Sequence, residues 1–419
     1  MKLKSFALAP LLAAALNIAA AQALAPLAGS HERTAWSASW IAPAQPLWGS
    51  GFVLPLGMPE QLEDVTVRQF MRVSVGGERV RLVVDNRYGE QPLVIGRALV
   101  ARDDDGPGGL PVRFQGSERV TVAAGARAVS DPVDLRVADS TRLRVDLYLP
   151  HRTRLAGFHW DARDRTLLLA GDMAGRPAPS GAPALGTRAF LSSVLVESAR
   201  RPVAGGAPGD SITDGNGATP GADHRWPDFL ARRLAPQGVS VLNAGISGNR
   251  LLRPGMGEGG LARVGQDVLQ QPGVRSVVVL LGTNDIGWPG GPFAPRDTVP
   301  GVEELAAGFR QLVAQAHLHG VRVVGATVPP FEDALQGTPL EGHYSPAKEA
   351  VRQALNAWIR DGGAFDSVVD FDRVLRDPAR PARLRATFDS GDHLHPNDAG
   401  YSAMAQALDV EMLLGSQGR

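Results

Sequence analysis

Hydrophobic and polar positions follow two different periods along this chain, and the change falls near residue 190. Val65, Val67, Gln69, Met71, Val73 and Val75 alternate with Thr66, Arg68, Arg72 and Ser74. A period of two predicts a strand with one buried face. Gly76-Gly77 reads as a two-residue hairpin turn, with residues 80–84 as the returning strand. Shorter β-like runs follow at residues 93–100, 112–114, 120–122, 143–149 and 166–169, with turn residues between them. Regular short strands of this kind predict an all-β sandwich. No useful helical periodicity occurs before residue 190.

Beyond about residue 201 the pattern becomes an alternation of strands and helices. The predicted strands are residues 239–242, 276–281, 321–327 and 367–371; the predicted helices are 226–234, 261–270, 302–319, 346–360 and 397–414. Such alternation predicts a parallel sheet covered by helices on both faces. Sites in these sheets form beyond the carboxyl ends of the strands. Residues 185–201 read as the passage between the halves, preceded by Pro177, Pro179 and Pro183 set among Gly and Ala in a loop composition.

The amino terminus has the form of an export signal. Lys2 and Lys4 precede an apolar run over residues 6–18, and Ala21-Gln22-Ala23 offers small residues for cleavage. A retained anchor is the alternative, but the run is short and contains Pro10. The expected organisation is therefore a signal peptide at 1–23, a β-sandwich domain at 24–190 and an α/β domain at 191–419. The expected location is secreted or periplasmic, with no stable membrane span after processing.

Composition narrows the chemistry. The chain has 419 residues, enough for two domains. Lys+Arg and Asp+Glu both number 43 and no basic block stands out, so nucleic acid is not an expected partner. There is no cysteine, which excludes disulfides, thiolate catalysis and cysteine-ligated zinc. In the first half His151 and His159 are isolated and read as structural. Trp36, Trp40 and Trp160 read as packing residues, with a sugar-stacking face as the alternative.

Four stretches carry candidate chemistry: Gly209-Asp210-Ser211-Ile212-Thr213-Asp214-Gly215, Gly245-Ile246-Ser247-Gly248-Asn249, Gly282-Thr283-Asn284-Asp285 and Asp392-His393-Leu394-His395-Pro396. Ser211 is the candidate nucleophile. A hydroxyl needs a base within hydrogen-bond reach. His395 is the candidate base, held extended by the following proline, and Asp392 the residue that orients it. His393 competes for the role of base and Asp389 for that of orienter; an Asp-His-x-His cluster could also bind metal, but no HExxH-type partner exists. Gly248 N–H, the Asn284 side chain and Ser211 N–H are the candidate oxyanion donors. Asp210 and Asp285 read as loop stabilisers. No Gly-Lys-Ser/Thr follows the Gly-rich approach, and Ser211 is not in a Gly-x-Ser-x-Gly elbow.

In residues and order these stretches resemble the SGNH/GDSL hydrolase family. Gly209 to Thr213 matches its first block, Gly248 within Ile246-Ser247-Gly248-Asn249 its second, Gly282 to Asp285 its third, and Asp392-x-x-His395 its fifth. The resemblance spans about residues 201–414. It implies a flavodoxin-like three-layer α/β/α fold and ester hydrolysis without metal or cofactor. It also implies the roles given above to Ser211, Gly248, Asn284, Asp392 and His395. The first half looks like the β-sandwich that precedes this domain in some secreted bacterial members. By that analogy the substrate is a short-chain acyl ester, acetyl on carbohydrate, as a small molecule or polysaccharide. The alternatives are lipid or short-chain carboxylester hydrolysis, O-acyl transfer, and a weakly catalytic glycan-binding scaffold. One departure stands out: the approach at residues 201–208 contains two glycines and two prolines, which predicts a short strand with Pro208 tilting the Ser211 loop.

Overall fold

The computed structural model describes residues 35–200 and 202–415; the expected signal segment lies outside them. In the first half, Val67, Met71, Val80, Leu82, Val145, Leu147, Val194 and Val196 all fall in one buried core. The strands that carry them form two antiparallel sheets. One runs in the order Ala184–Leu185, Thr166–Ala170, Val65–Arg72, Arg142–Leu149, Arg97–Arg102, Leu110–Pro111; the other in the order Ala35–Ile41, Leu191–Ser198, Arg79–Asp85, Arg127–Val129. The alternation read from the sequence thus packs two inner faces together as a sandwich.

Two expectations for this half are corrected. Val65–Arg72 and Arg79–Asp85 are not a hairpin, because they belong to different sheets. Gly76 and Gly77 mark the crossing between sheets. A Cβ at Gly76 would lie 2.3 Å from Val137 O, and one at Gly77 2.5 Å from Glu197 O. The glycines are there for close approach of backbones, not for a turn. The strand Leu191–Ser198, placed by the sequence pattern in the second domain, pairs with Ala35–Ile41 and Arg79–Asp85 in the antiparallel sheet.

The second half is built on a parallel sheet of five strands among the described residues: Val203–Gly209, Val239–Gly245, Val274–Val279, Arg322–Ala326 and Ser367–Val369. Numbered in chain order, they lie second, first, third, fourth, fifth, the flavodoxin-like arrangement. On one face Leu305, Phe309, Leu312 and Ala316 of the helix Val302–Leu318 pack with Val277, Val279 and Val323. Their spacing is that of a single helical stripe. On the other face Trp226, Leu230, Leu234, Tyr401 and Met404 pack with Val278, Leu280 and Val324. The result is the expected three layers. Among the described residues no helix is long and apolar enough to cross a membrane.

The Gly-rich approach is a full strand rather than a short one. Val203–Gly209 pairs along its whole length with Val239–Gly245 and also borders Val274–Val279. Gly206 explains the composition: a Cβ there would lie 2.2 Å from Val268 Cγ1. Small residues let the layer beneath come close. The long terminal helix predicted at 397–414 is in fact two, Asp398–Gln406 and Val410–Leu414. Asp409 breaks it by capping the second piece, its carboxylate accepting from Met412 N. The predicted helix at 261–270 begins as Gly260–Val264 and widens into a π-turn over Gly265–Leu269.

The two halves meet along the edge of the parallel sheet. Ser240 Oγ donates to Ala38 O at 2.8 Å, Val241 N to Ser74 Oγ at 2.9 Å, and Ser37 Oγ to Pro202 O at 3.1 Å. These contacts cover an edge strand that would otherwise present free backbone groups.

Candidate active site

Strand ends and caps set the position of every candidate residue. Val203–Gly209 ends, Asp210 caps the following turn by accepting from Ile212 N at 3.0 Å, and Ser211 opens the short helix Ser211–Asp214. Asp210 is fully buried, and burial pushes its carboxyl up to about 6. On the same face as the Ser211 helix, Asn397 caps Asp398–Gln406 and thereby anchors the preceding loop, which carries Asp392 and His395.

Ser211 and His395 lie 184 residues apart in sequence and meet directly. His395 Nε2 is 2.7 Å from Ser211 Oγ, and His395 Nδ1 is 2.6 Å from Asp392 Oδ2. The other Asp392 oxygen accepts from His395 N at 2.8 Å, Leu394 N at 3.0 Å and Ser390 Oγ at 3.0 Å. Burial opposes the Asp392 carboxylate, but the His395 ring and these N–H groups outweigh it. They hold the carboxyl well below its usual range. His393, the competing histidine, points elsewhere: its Nδ1 is 2.6 Å from Asp389 Oδ2. Among the described residues no group of three or more acidic or histidine side chains is arranged to hold a metal.

The candidate oxyanion donors are tied to this pair by a continuous chain of bonds. Asp214, at the end of the Ser211 helix, accepts from Ser247 N at 3.0 Å and Ser247 Oγ at 2.7 Å. Gly248 follows with a φ of +69°, and a Cβ there would lie 2.4 Å from Met256 Sδ and 2.6 Å from Trp288 Cζ2. Only glycine fits. Asn284 Nδ2 donates to Asn249 O at 3.0 Å, which leaves its second hydrogen for another acceptor. Among the described residues no group of the chain accepts the N–H of Ser211 or Gly248. Asp285 accepts from Leu251 N and Leu252 N at 2.6 and 3.0 Å, so it fixes the loop after Gly248. The loop-stabilising roles read for Asp210 and Asp285 match these contacts.

Residues outside the motifs hold the same floor. Buried Arg263 donates to Gly209 O at 2.9 Å, Ala244 O at 2.8 Å and Asn249 Oδ1 at 2.9 Å. Asp267 accepts from Arg263 at 3.2 Å and from Arg87 of the sandwich at 2.6 Å. His159, isolated in the sequence, is buried with Nε2 2.9 Å from Asp214 Oδ1. Neither network leaves a local signal, since the partners are 55 and 180 residues apart. Trp40 is buried beneath Arg188, Arg81 lies over Trp36, and Trp160 tilts against Trp48, so all three tryptophans take part in packing.

Residues 207–403 match the GDSL-like Lipase/Acylhydrolase family. This part of the chain is a domain of that family. The chain is accordingly an ester hydrolase. No protein of curated function matches it. Solved structures similar to parts of it include a carbohydrate acetylesterase family member from Sinorhizobium meliloti, at 18% identity over 51% of this chain and 99% of that one, TM-score 0.39. A second is the native aryl esterase of M. smegmatis, at 18% identity over 49% and 95%, TM-score 0.38. A third is a GDSL-like lipase from Bacteroides thetaiotaomicron, at 20% identity over 49% and 88%, TM-score 0.36. The acylhydrolase domain takes in all four motif stretches, from the strand end before Ser211 to the helix after His395.

Proposed function

We propose that the chain hydrolyses short-chain carboxylic esters through a Ser211–His395–Asp392 triad. The observation that carries this is the unbroken line of short contacts, 2.7 Å from Ser211 to His395 and 2.6 Å from His395 to Asp392. Ser211 Oγ attacks the ester carbonyl as His395 Nε2 takes its proton. Asp392 orients the ring and stabilises the imidazolium that forms. The oxyanion is met by Ser211 N–H, Gly248 N–H and Asn284 Nδ2. Collapse expels the alcohol, which takes the proton back from His395. Water, activated by the same base, then releases the acid and frees Ser211.

A small acyl group such as acetyl is read by analogy with the family. The carbohydrate alcohol remains an inference by analogy with secreted two-domain family members. The full Val203–Gly209 strand removes the motive for an inactive glycan-binding scaffold. Export rests on the residues before Leu24 and is tested by the amino-terminal sequence of protein recovered outside the cytoplasm.

Substitution Ser211→Ala is expected to lower kcat on p-nitrophenyl acetate by about 10⁴-fold or more with the fold intact. Retained turnover would remove the serine mechanism. New acylated sugar formed in the presence of a sugar acceptor would replace hydrolysis by transfer.

A further inference from the structure

The sandwich reaches into the acylhydrolase domain at a point that bears on the oxyanion donors. His159 lies in the strand Phe158–His159 and is 6% exposed. Its Nδ1 is 2.9 Å from Pro43 O and its Nε2 2.9 Å from Asp214 Oδ1. Each ring nitrogen thus lies within hydrogen-bond distance of a partner. Asp214 closes the Ser211 helix, and its other oxygen takes both the N–H and the hydroxyl of Ser247. The next residue is Gly248. A single carboxylate thus links the helix of the serine to the loop of the second oxyanion donor, and His159 sets where that carboxylate sits.

The segment after His159 makes further contacts with the same region. Arg163 O accepts from Gly221 N at 2.8 Å, and the Arg163 guanidinium donates to Ala218 O. To do so the backbone takes φ values of +48° at Asp161 and +51° at Arg163, both unusual for residues with side chains. Backbone held in this region costs free energy and persists where surrounding contacts demand it. A neighbouring anchor acts on the other side of Gly248. Gln45 Nε2 and Trp48 Nε1 donate to Met256 O at 2.9 and 2.7 Å, and Met256 packs against Gly248.

We infer that His159 is a positioning residue for the ester hydrolase, holding Gly248 N–H on the oxyanion through Asp214 and Ser247. The inference rests on the serine mechanism proposed above. It gives the sandwich a part in turnover without any contact with substrate.

The test uses the full chain with His159→Phe, His159→Gln and Asp214→Asn, beside Ser211→Ala. Fluorophosphonate titration counts competent sites, so kcat is expressed per reactive serine and is not confused with misfolding. His159→Phe is expected to lower kcat by about 10- to 100-fold, the cost of a misplaced catalytic group. KM should change by about twofold or less, since only transition-state contacts are lost. Glutamine places a donor near the former Nε2, so His159→Gln should recover most of the loss. Asp214→Asn should lose a similar factor and add little to His159→Phe. Wild-type kcat per site in His159→Phe, or equal losses in the phenylalanine and glutamine variants, would overturn the role of His159. Retained turnover in Ser211→Ala would count instead against the serine mechanism itself.

Discussion

At the scale of single residues the site works by opposing environments. Asp392 sits where its carboxylate is supported by N–H donors, while Asp210, a few ångströms of chain from the serine, is buried with one oxygen unpaired. His343 is a third case. It is fully buried, its Nε2 has no partner, and burial with nearby Lys348 pushes its pKa down to about 3. The folded protein therefore keeps His343 neutral while the unfolded chain protonates it below about 6.5. The unfolded state binds more protons between these values, so stability must fall as pH drops from 6.5 towards 3. The slope from this residue is at most about 1.4 kcal/mol per pH unit. Urea unfolding of His343→Leu and wild type at pH 6.5 and 4.5 checks this. The variant should lose less stability than wild type between the two; equal losses would remove His343 as a source of acid sensitivity.

The candidate residues Ser211, Asp392 and His395 could be picked out at this scale because each sits in a short stretch of distinctive residues, and Pro396 and Asn397 fix the loop of His395 locally. The choice of His395 over His393 was open in the sequence, since both histidines have an aspartate within four residues. Only the positions of the two rings separate them. His159 and Arg263 were not legible, because a buried polar contact between distant segments has no period and no motif.

At the scale of elements, periodicity served well where one face is buried and poorly where small residues line a contact. The helix Trp226–Leu234 has the bounds that its apolar stripe predicts. The strand Val203–Gly209 was underestimated because its apolar content is low; its glycines answer to the layer below, not to a turn. The same cause misled at Gly76-Gly77, where close backbone approach was read as a hairpin. This gives a direct check. Gly206→Val should overpack against Val268 and destabilise by about 1–3 kcal/mol. A shift of the urea midpoint to lower concentration is expected; an unchanged midpoint would mean that the strand has room which the packing does not show.

At the scale of the molecule, buried polar contacts tie the halves together. Arg87–Asp267, His159–Asp214 and the donors from Gln45 and Trp48 to Met256 O all cross between them. Residues of the antiparallel sheet, Ala38, Ile41, Val83 and Leu195, share a core with the helix Val302–Leu318. Breaking such contacts leaves buried groups without partners, which is costly. The protein should therefore melt in one calorimetric transition with matching calorimetric and van't Hoff enthalpies. Two resolved transitions would show that the sandwich and the acylhydrolase domain fold independently. That outcome would also weaken the case for a sandwich residue acting on the oxyanion site.

The central claim is that Ser211 is an activated nucleophile. The most direct measurement is stoichiometric reaction of the purified protein with a fluorophosphonate, located by peptide mass spectrometry, beside turnover of p-nitrophenyl acetate. One label per chain on the peptide containing Ser211, with turnover lost in proportion to labelling, is the expected result. Turnover that continues after full labelling of Ser211, or a label that settles on another residue, would contradict it.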